Sequence, residues 1–237
     1  MLDTVDLTRT LSDEAYGEEE ADLRDRLAEL HRAASEAGLP LMMAFEGWDA
    51  SGKGSMIHTL TERLDPRGFT VHPIRAPRPF EAARPWLWRY WRKIPGHGEW
   101  AFYDRSWYGR VLVERIDRHV TKKQWKRAYD EILQFERALV DDGYLLVKIF
   151  LHISKEEQRR RLEALLADPV TAWRVTPEDW QNHHRYDAWL PVYEEALERT
   201  HTDAAPWTVL PATCPNATRH AVYRTLIDAL EARLAPA

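Results

Sequence analysis

The chain has 237 residues, of which 44% are apolar and 30% charged, with a formal net charge of -5 and a mean hydropathy of -0.55. These values fit one α/β domain, a class whose single domains often exceed 200 residues, and they exclude a globally disordered or collagen-like chain. No apolar stretch approaches the ~18 residues of a membrane span, the N-terminus is acidic where targeting leaders are basic, and the lone Cys214 excludes an intrachain disulfide or a cysteine-framed zinc site, so a soluble cytoplasmic protein is expected.

From about Glu18 to Ala37, the spacing of Leu23, Leu27 and Leu30 predicts an amphipathic helix that stops at Gly38-Leu39-Pro40. Residues 1–40 read as an N-terminal helical extension of a domain spanning 41–237. Leu41 to Phe45 predicts a strand buried on both faces, followed by a glycine-bearing loop and a helix to about Leu64. Asp65-Pro66-Arg67-Gly68 is turn chemistry, Phe69 to Arg75 predicts a second strand, and Pro85 opens a predicted helix at its first position. Trp100 to Tyr103 predicts a strand running into Asp104, with helices over about Ser106–Asp117 and Thr121–Asp141. Thr121 with Gln124 forms a capping box.

Tyr144 to Ile153 predicts the next strand. Ser154 caps a following helix with Glu157 reaching back, and that helix ends near Asp168-Pro169. Thr176-Pro177-Glu178-Asp179 starts another helix, Trp207 to Leu210 predicts a last strand, and Ala217 to Leu234 a closing helix. Strands alternating with helices imply a parallel sheet covered on both faces, whose ligands bind beyond the carboxyl ends of the strands. The loops at 46–54 and 104–110 should therefore face one crevice, and the stretch from about 155 to 180 reads as an arginine-bearing lid or, more plainly, a surface helical hairpin.

Gly47-Trp48-Asp49-Ala50-Ser51-Gly52-Lys53 fits the G-x-x-x-x-G-K pattern of a phosphate-binding loop between strand and helix. Glycines at both ends let successive N–H groups of Gly47, Ala50, Ser51, Gly52, Gly54 and Ser55 turn toward phosphate oxygens, and Lys53 adds a positive charge for a transferring phosphoryl group. The position after the lysine, usually a hydroxyl that ligates magnesium, is Gly54. A Mg2+ ion would need other oxygens, and Asp49 with Asp104 could supply them. Arg105 and Arg110 flank the second carboxylate, and guanidinium groups suit phosphate. Either arginine could instead be a structural partner of Asp104.

Residues 75–127 carry 14 Lys and Arg against 5 acids, whereas residues 1–40 carry 11 acids against 4 arginines. The basic third could draw in a polyanion or form solvated helix faces. Trp86, Trp88 and Trp91, interleaved with Arg84, Arg89 and Arg92, are read as core packing rather than as a nucleic-acid platform. His183-His184 and Cys214 lack metal-site spacing and are read as incidental.

Five stretches in one order resemble the polyphosphate kinase 2 family: FEGWDASGKG (45–54), LWRYWRKIP (87–95), YDRSWYGRVLVER (103–115), ISKEEQRRRLEALLADP (153–169) with WRVTPEDW (173–180), and LERTHTDAAPWTVLPA (197–212). The resemblance implies a P-loop kinase-like three-layer α/β/α fold with a central parallel sheet and a helical lid, a homo-oligomer, and magnesium-dependent transfer of phosphate between inorganic polyphosphate and a nucleotide. It assigns Asp49 and Asp104 to magnesium and phosphate, Lys53 to the phosphate loop, Arg105 and Arg110 to the transferring phosphate, and Arg160 or Arg161 with Arg174 to the lid. The loop and DRSWYGR are similar to the polyphosphate:AMP phosphotransferase branch, which makes ADP from AMP; other branches use nucleoside diphosphates such as ADP. Thr213-Cys214-Pro215-Asn216 departs from the charged run usual in the family, which bears on acceptor identity. The alternatives are an ATP-using nucleoside monophosphate kinase and a catalytically silent polyanion-binding module.

Overall fold

The computed structural model describes residues 1–235. Five strands, β1 (Leu41–Gly47), β2 (Phe69–Pro73), β3 (Trp100–Asp104), β4 (Leu145–His152) and β5 (Trp207–Pro211), form one sheet in the order β2-β3-β1-β4-β5, with every pair parallel. All seven residues of β1 are buried, as a central strand covered by helices on both faces requires. The ten helices described are α1 (Asp13–Glu36), α2 (Lys53–Thr61), α3 (Pro79–Ala82), α4 (Trp88–Trp91), α5 (Val113–Ile116), α6 (Lys122–Asp141), α7 (Lys155–Ala167), α8 (Pro177–His184), α9 (Tyr186–Thr200) and α10 (Pro215–Leu234). The three-layer α/β/α expectation holds. Among the described residues no helix is long and apolar enough to cross a membrane.

Helix α1 begins where Ser12 Oγ accepts from Ala15 N–H and stops at Gly38, whose φ of +67° suits a residue without a Cβ. Leu23, Leu27, Leu30 and Ala34 enter the main core, and α1 lies along α10. Tyr223 of α10 donates to the Thr59 carbonyl of α2, which ties the closing helix to the one that follows the phosphate loop.

Three local expectations fail for identifiable reasons. Pro85 does not open a helix of useful length: the segment splits into α3 and the single turn α4, with Trp86 and Leu87 between them. The run from Ser106 is a 3-10 turn (Trp107–Arg110) followed by one turn of α5, because Leu112 leaves the helical region at φ -106° and ψ -101°. Ser154 caps α7 by accepting from Glu157 N–H, yet the Glu157 carboxylate accepts from Arg160 and Arg161 instead of reaching back. The capping boxes at Thr121 and Thr176 form in full, the latter closed by Asp179.

The tryptophans also divide. Trp48, Trp100, Trp107, Trp189 and Trp207 are buried, but Trp91 is 49% exposed, and Trp86 packs on the core from one side while lining a cavity on the other. The 84–93 segment is thus a wall between two depressions and not a covering helix.

Beneath that wall lies a buried polar cluster. Glu136 of α6 accepts from Trp107 Nε1 at 2.9 Å, Tyr108 Oη at 2.6 Å and Lys148 Nζ at 2.8 Å, and Lys148 also donates to the Thr200 carbonyl at 2.8 Å. Every donor in this group has an acceptor, which is the condition for burying charge at tolerable cost. It pins the 107–110 turn to the sheet.

Candidate active site

The loop after β1 is shaped by two glycines and by where its carbonyls go. Gly47 has φ +139°, and a Cβ there would run into the Leu151 carbonyl oxygen and lie 2.9 Å from the Leu151 nitrogen, so the loop leaves the sheet against the backbone of β4. Gly52 (φ +99°) and Ala50 (φ +60°) complete the reversal into α2. A left-handed alanine costs of order 1 kcal/mol, the kind of strain that functional loops retain.

All five carbonyls from 47 to 51 are engaged, and the Ser51 N–H, expected to face phosphate, donates instead to the Trp48 oxygen at 3.1 Å. Lys53 Nζ donates to the Gly47 and Trp48 oxygens, both at 2.9 Å. Gln158 Nε2 donates to the Asp49 oxygen at 3.2 Å, and Arg161 Nη1 donates to the Ala50 and Ser51 oxygens at 3.1 and 3.2 Å. The first i to i-4 bond of α2 runs from Met56 N to Gly52 O, so the N–H groups of Lys53, Gly54 and Ser55 have no acceptor within the helix. Free amides at a helix N-terminus beside a buried ammonium make a surface suited to phosphate oxygens. Burial pushes the Lys53 ammonium below its ordinary pKa, and the carboxylates of Asp49, Asp104 and Glu46 oppose that shift. Two of its three donors are used, which leaves one for a phosphoryl oxygen.

The carboxylates gather at the same rim. Asp49 Oδ1 accepts from Arg105 Nη2 at 2.7 Å and Oδ2 from Asn182 Nδ2 at 2.8 Å. Arg105 therefore partners Asp49 and not Asp104. Its backbone, at φ +61°, extends the sheet by donating to the Phe45 carbonyl, and although burial disfavours its charge, Asp49, Glu46 and Asp104 hold its pKa above the ordinary value. Asp104 ends β3, half-buried, with Oδ2 3.8 Å from where a Cβ on Gly54 would stand. Among the described residues nothing donates to its carboxylate.

Mg2+ usually takes one or two protein carboxylates, with water and substrate phosphate oxygens completing an octahedron. Among the described residues no three His, Cys, Asp or Glu side chains converge as a self-sufficient metal site. The donor set present, an unpartnered Asp104 and an Asp49 with lone pairs to spare, fits that pattern beside the loop. The glycine at 54 adds no ligand.

The other expected residues are dispersed. Arg110 pairs with Glu114 at 2.6 Å, its guanidinium lies 5.0 Å over the Trp86 ring, and it lines a cavity of about 760 Å3 with Arg84, Trp86, Tyr90, Glu131 and Phe135. On the far side of α4, Arg75, Arg78, Arg89, Arg92 and Lys93 line a second depression of about 430 Å3. Arg161 spends its donors on the outer carbonyls of the loop and on Ala212 and Thr213, so it grips the loop from behind. Arg160 is exposed and paired with Glu157, and Arg174 stacks on the exposed Trp173, 5.5 Å from its ring; neither reaches the loop.

Several contributors gave no sequence signal. Gln158 and Asn182 reach the loop from α7 and α8, and His183, read as incidental, meets Gln158 Oε1 through Nδ1 at 2.9 Å. Trp48 stacks on Tyr186 with ring centroids 3.7 Å apart and donates from Nε1 to His152 Nδ1 at 2.9 Å.

That last bond makes a pH prediction. Burial lowers the His152 pKa from its ordinary 6.5, and the acceptor role requires an unprotonated Nδ1. A base with a depressed folded-state pKa contributes stability present above the unfolded value and lost as pH falls through the folded one. The melting temperature should therefore begin to drop as pH falls through about 6.5 and go on dropping until the folded-state pKa is passed, by about 1.4 kcal/mol of stability per unit of pKa difference for this residue. His152→Gln, which keeps an acceptor without titrating, should flatten part of that drop; an identical pH slope in the variant would remove His152 from the explanation.

A five-stranded parallel sheet in this order, with a G-x-x-x-x-G-K loop after its central strand and an aspartate ending the neighbouring strand, defines a P-loop α/β protein. The profile described as Polyphosphate kinase 2 (PPK2) matches residues 10–236. The chain belongs to the polyphosphate kinase 2 family. It is 41% identical over 232 residues to the polyphosphate:AMP phosphotransferase of Pseudomonas aeruginosa, covering 98% of this chain and 47% of that protein, so it spans about half the length of that relative. It is 36% identical over 205 residues to ADP-polyphosphate phosphotransferase 3 of Rhizobium meliloti, covering 86% of this chain and 72% of that one. The crystal structure of polyphosphate kinase 2 from Arthrobacter aurescens superposes with a TM-score of 0.94 at 32% identity, covering 98% of this chain and 85% of that chain.

Proposed function

We propose that this chain is a magnesium-dependent phosphotransferase that moves the terminal phosphoryl group of inorganic polyphosphate to a nucleotide, with AMP as the acceptor and ADP as the product. The observation that carries this reading is the 41% identity, across 98% of the chain, to a polyphosphate:AMP phosphotransferase, with the G-x-x-x-x-G-K loop at its centre.

In this reading, loop amides and Lys53 hold the phosphoryl group in transfer, and Arg105 takes up charge on its equatorial oxygens. An oxygen of the AMP phosphate forms a bond to phosphorus as the bridging oxygen of polyphosphate leaves with the electron pair. The acceptor oxygen is already anionic, so no strong general base is required. Magnesium held by Asp49 and Asp104 would neutralise charge shared by the two phosphate groups. The cavity bounded by Trp86, Tyr90, Arg84 and Arg110 has an aromatic wall for a base and cations for an acceptor phosphate. The Arg75, Arg78, Arg92 and Lys93 depression suits a linear polyanion, and α7 with α8 form the lid.

The test is a paired incubation of the protein and Mg2+ with AMP or ADP as acceptor and polyphosphate or ATP as donor, with nucleotides resolved by chromatography. ADP formed from AMP with polyphosphate is the expected result. Transfer to ADP alone would assign the diphosphate branch, to which the 36% identical Rhizobium relative belongs by name. Transfer from ATP alone would make the chain a nucleoside monophosphate kinase, and polyphosphate bound but never consumed would make it a binding module.

A further inference from the structure

The carboxylate of Asp49 is held by side chains that arrive from a distant part of the chain. Asn182 Nδ2 on α8 donates to Asp49 Oδ2 at 2.8 Å, and Gln158 Nε2 on α7 donates to the backbone oxygen of the same residue at 3.2 Å. Both amides are buried, Asn182 at 7% exposure and Gln158 at 1%. A further group beside each amide then fixes which end of it faces the loop. Asn182 Oδ1 accepts from Arg185 Nη2 at 2.9 Å, and Arg185 Nη1 donates to Asp117 Oδ1 at 2.9 Å. The Gln158 Oε1 faces His183 Nδ1 at 2.9 Å. An unbroken chain of polar contacts therefore runs from Asp117 through Arg185 and Asn182 to Asp49 and on to Arg105.

The chemistry of the contacting groups matters. An amide N–H orients a carboxylate oxygen without cancelling its charge, whereas a second guanidinium there would compete with a cation. Arg105 takes Oδ1, and the amide leaves Oδ2 anionic with a lone pair directed by a rigid donor. Both donors sit on the helices that flank the exposed 168–176 connection, so the position of these helices and the aim of Asp49 are mechanically one variable.

We propose that Asn182 and Gln158 are positioning residues for Asp49, setting the height and rotamer of its carboxylate from the two lid helices so that cation binding at the loop depends on lid placement. The proposal rests on the reading of Asp49 as a cation-holding group.

The test follows Mn2+ binding to the 237-residue chain, by loss of the free-ion electron paramagnetic resonance signal, alongside the Mg2+ concentration that half-activates phosphoryl transfer. Asn182→Ala should weaken Mn2+ binding and raise the Mg2+ requirement by roughly tenfold, the usual consequence of losing an outer-shell partner, with turnover at saturating Mg2+ falling much less. Gln158→Ala should shift both in the same direction. A purely structural role would lower the melting temperature and leave cation affinity alone. If Asn182→Ala fails to fold, Arg185→Met releases the amide while leaving the packing of α8 in place, and a parallel, smaller shift is expected. Cation affinity within twofold of the parent in Asn182→Ala, or in Arg185→Met where that must stand in, while Asp49→Asn loses it, overturns the proposal alone. Unchanged affinity in Asp49→Asn removes the underlying reading and the proposal with it.

Discussion

Lys53→Ala should lower turnover roughly 10²- to 10³-fold, the scale of losing one preorganised charge at a transition state, with a smaller change in the KM for polyphosphate. Its ammonium is the one cation fixed within the loop itself, and its anchoring to the Gly47 and Trp48 carbonyls sets its height. Because those two bonds also shape the loop, the variant's melting temperature belongs beside its kinetics. Lys53→Arg should not restore activity, since a planar fork cannot occupy the space of a compact ammonium that is only 8% exposed. Steady-state rates of either variant within threefold of the parent would end the role assigned to Lys53.

Glu136→Ala should cost about 3–5 kcal/mol, the largest stability effect expected of any single substitution considered, because it strands a buried ammonium. Lys148 is 1% exposed, and with its partner gone the indole of Trp107 and the hydroxyl of Tyr108 also lose their acceptor. The double change Glu136→Leu with Lys148→Met should recover the part of the loss that comes from the stranded ammonium, yet stay less stable than the parent, since the Trp107 and Tyr108 donors and the Thr200 carbonyl keep no partner. Urea unfolding measures both. A loss below about 1 kcal/mol in the single variant would mean that the cluster relaxes or admits water, contrary to its packing. Activity should fall further than stability predicts, because the same cluster pins the 107–110 turn that carries Arg110.

The loop from Gly47 to Lys53 was legible because strand, reversal and helix each have a local chemical cause. An apolar run, two glycines and a lysine lie within thirteen residues, 41–53. Asp104 was legible as a carboxylate ending an apolar strand, and the parallel sheet follows from strands alternating with helices, though its strand order does not. The turns at 79–91 and 106–116 were not, because apolar residues spaced by three and four bury equally well in broken turns when the segment walls a cavity. Gln158 and Asn182 lie 109 and 133 positions from Asp49, and an amide donor leaves no periodicity or spacing behind. Arg161 reads in sequence as a basic residue of the 155–180 stretch, and in this structure its guanidinium donates to the carbonyls behind the loop and after β5.

The way the loop is fastened also dictates when it can exist. A nascent chain that has emerged as far as residue 120 contains β1, β2 and β3 but lacks the Leu151 backbone that Gly47 lies against. It also lacks Gln158 and Arg161, and the Ala212 and Thr213 carbonyls that hold Arg161 in turn. Such parallel pairings between distant segments form slowly, since loop closure must precede any reward. Phosphate affinity should accordingly appear as a late event of synthesis, and an N-terminal fragment ending before β4 should carry the whole sequence motif without its grip on an anion.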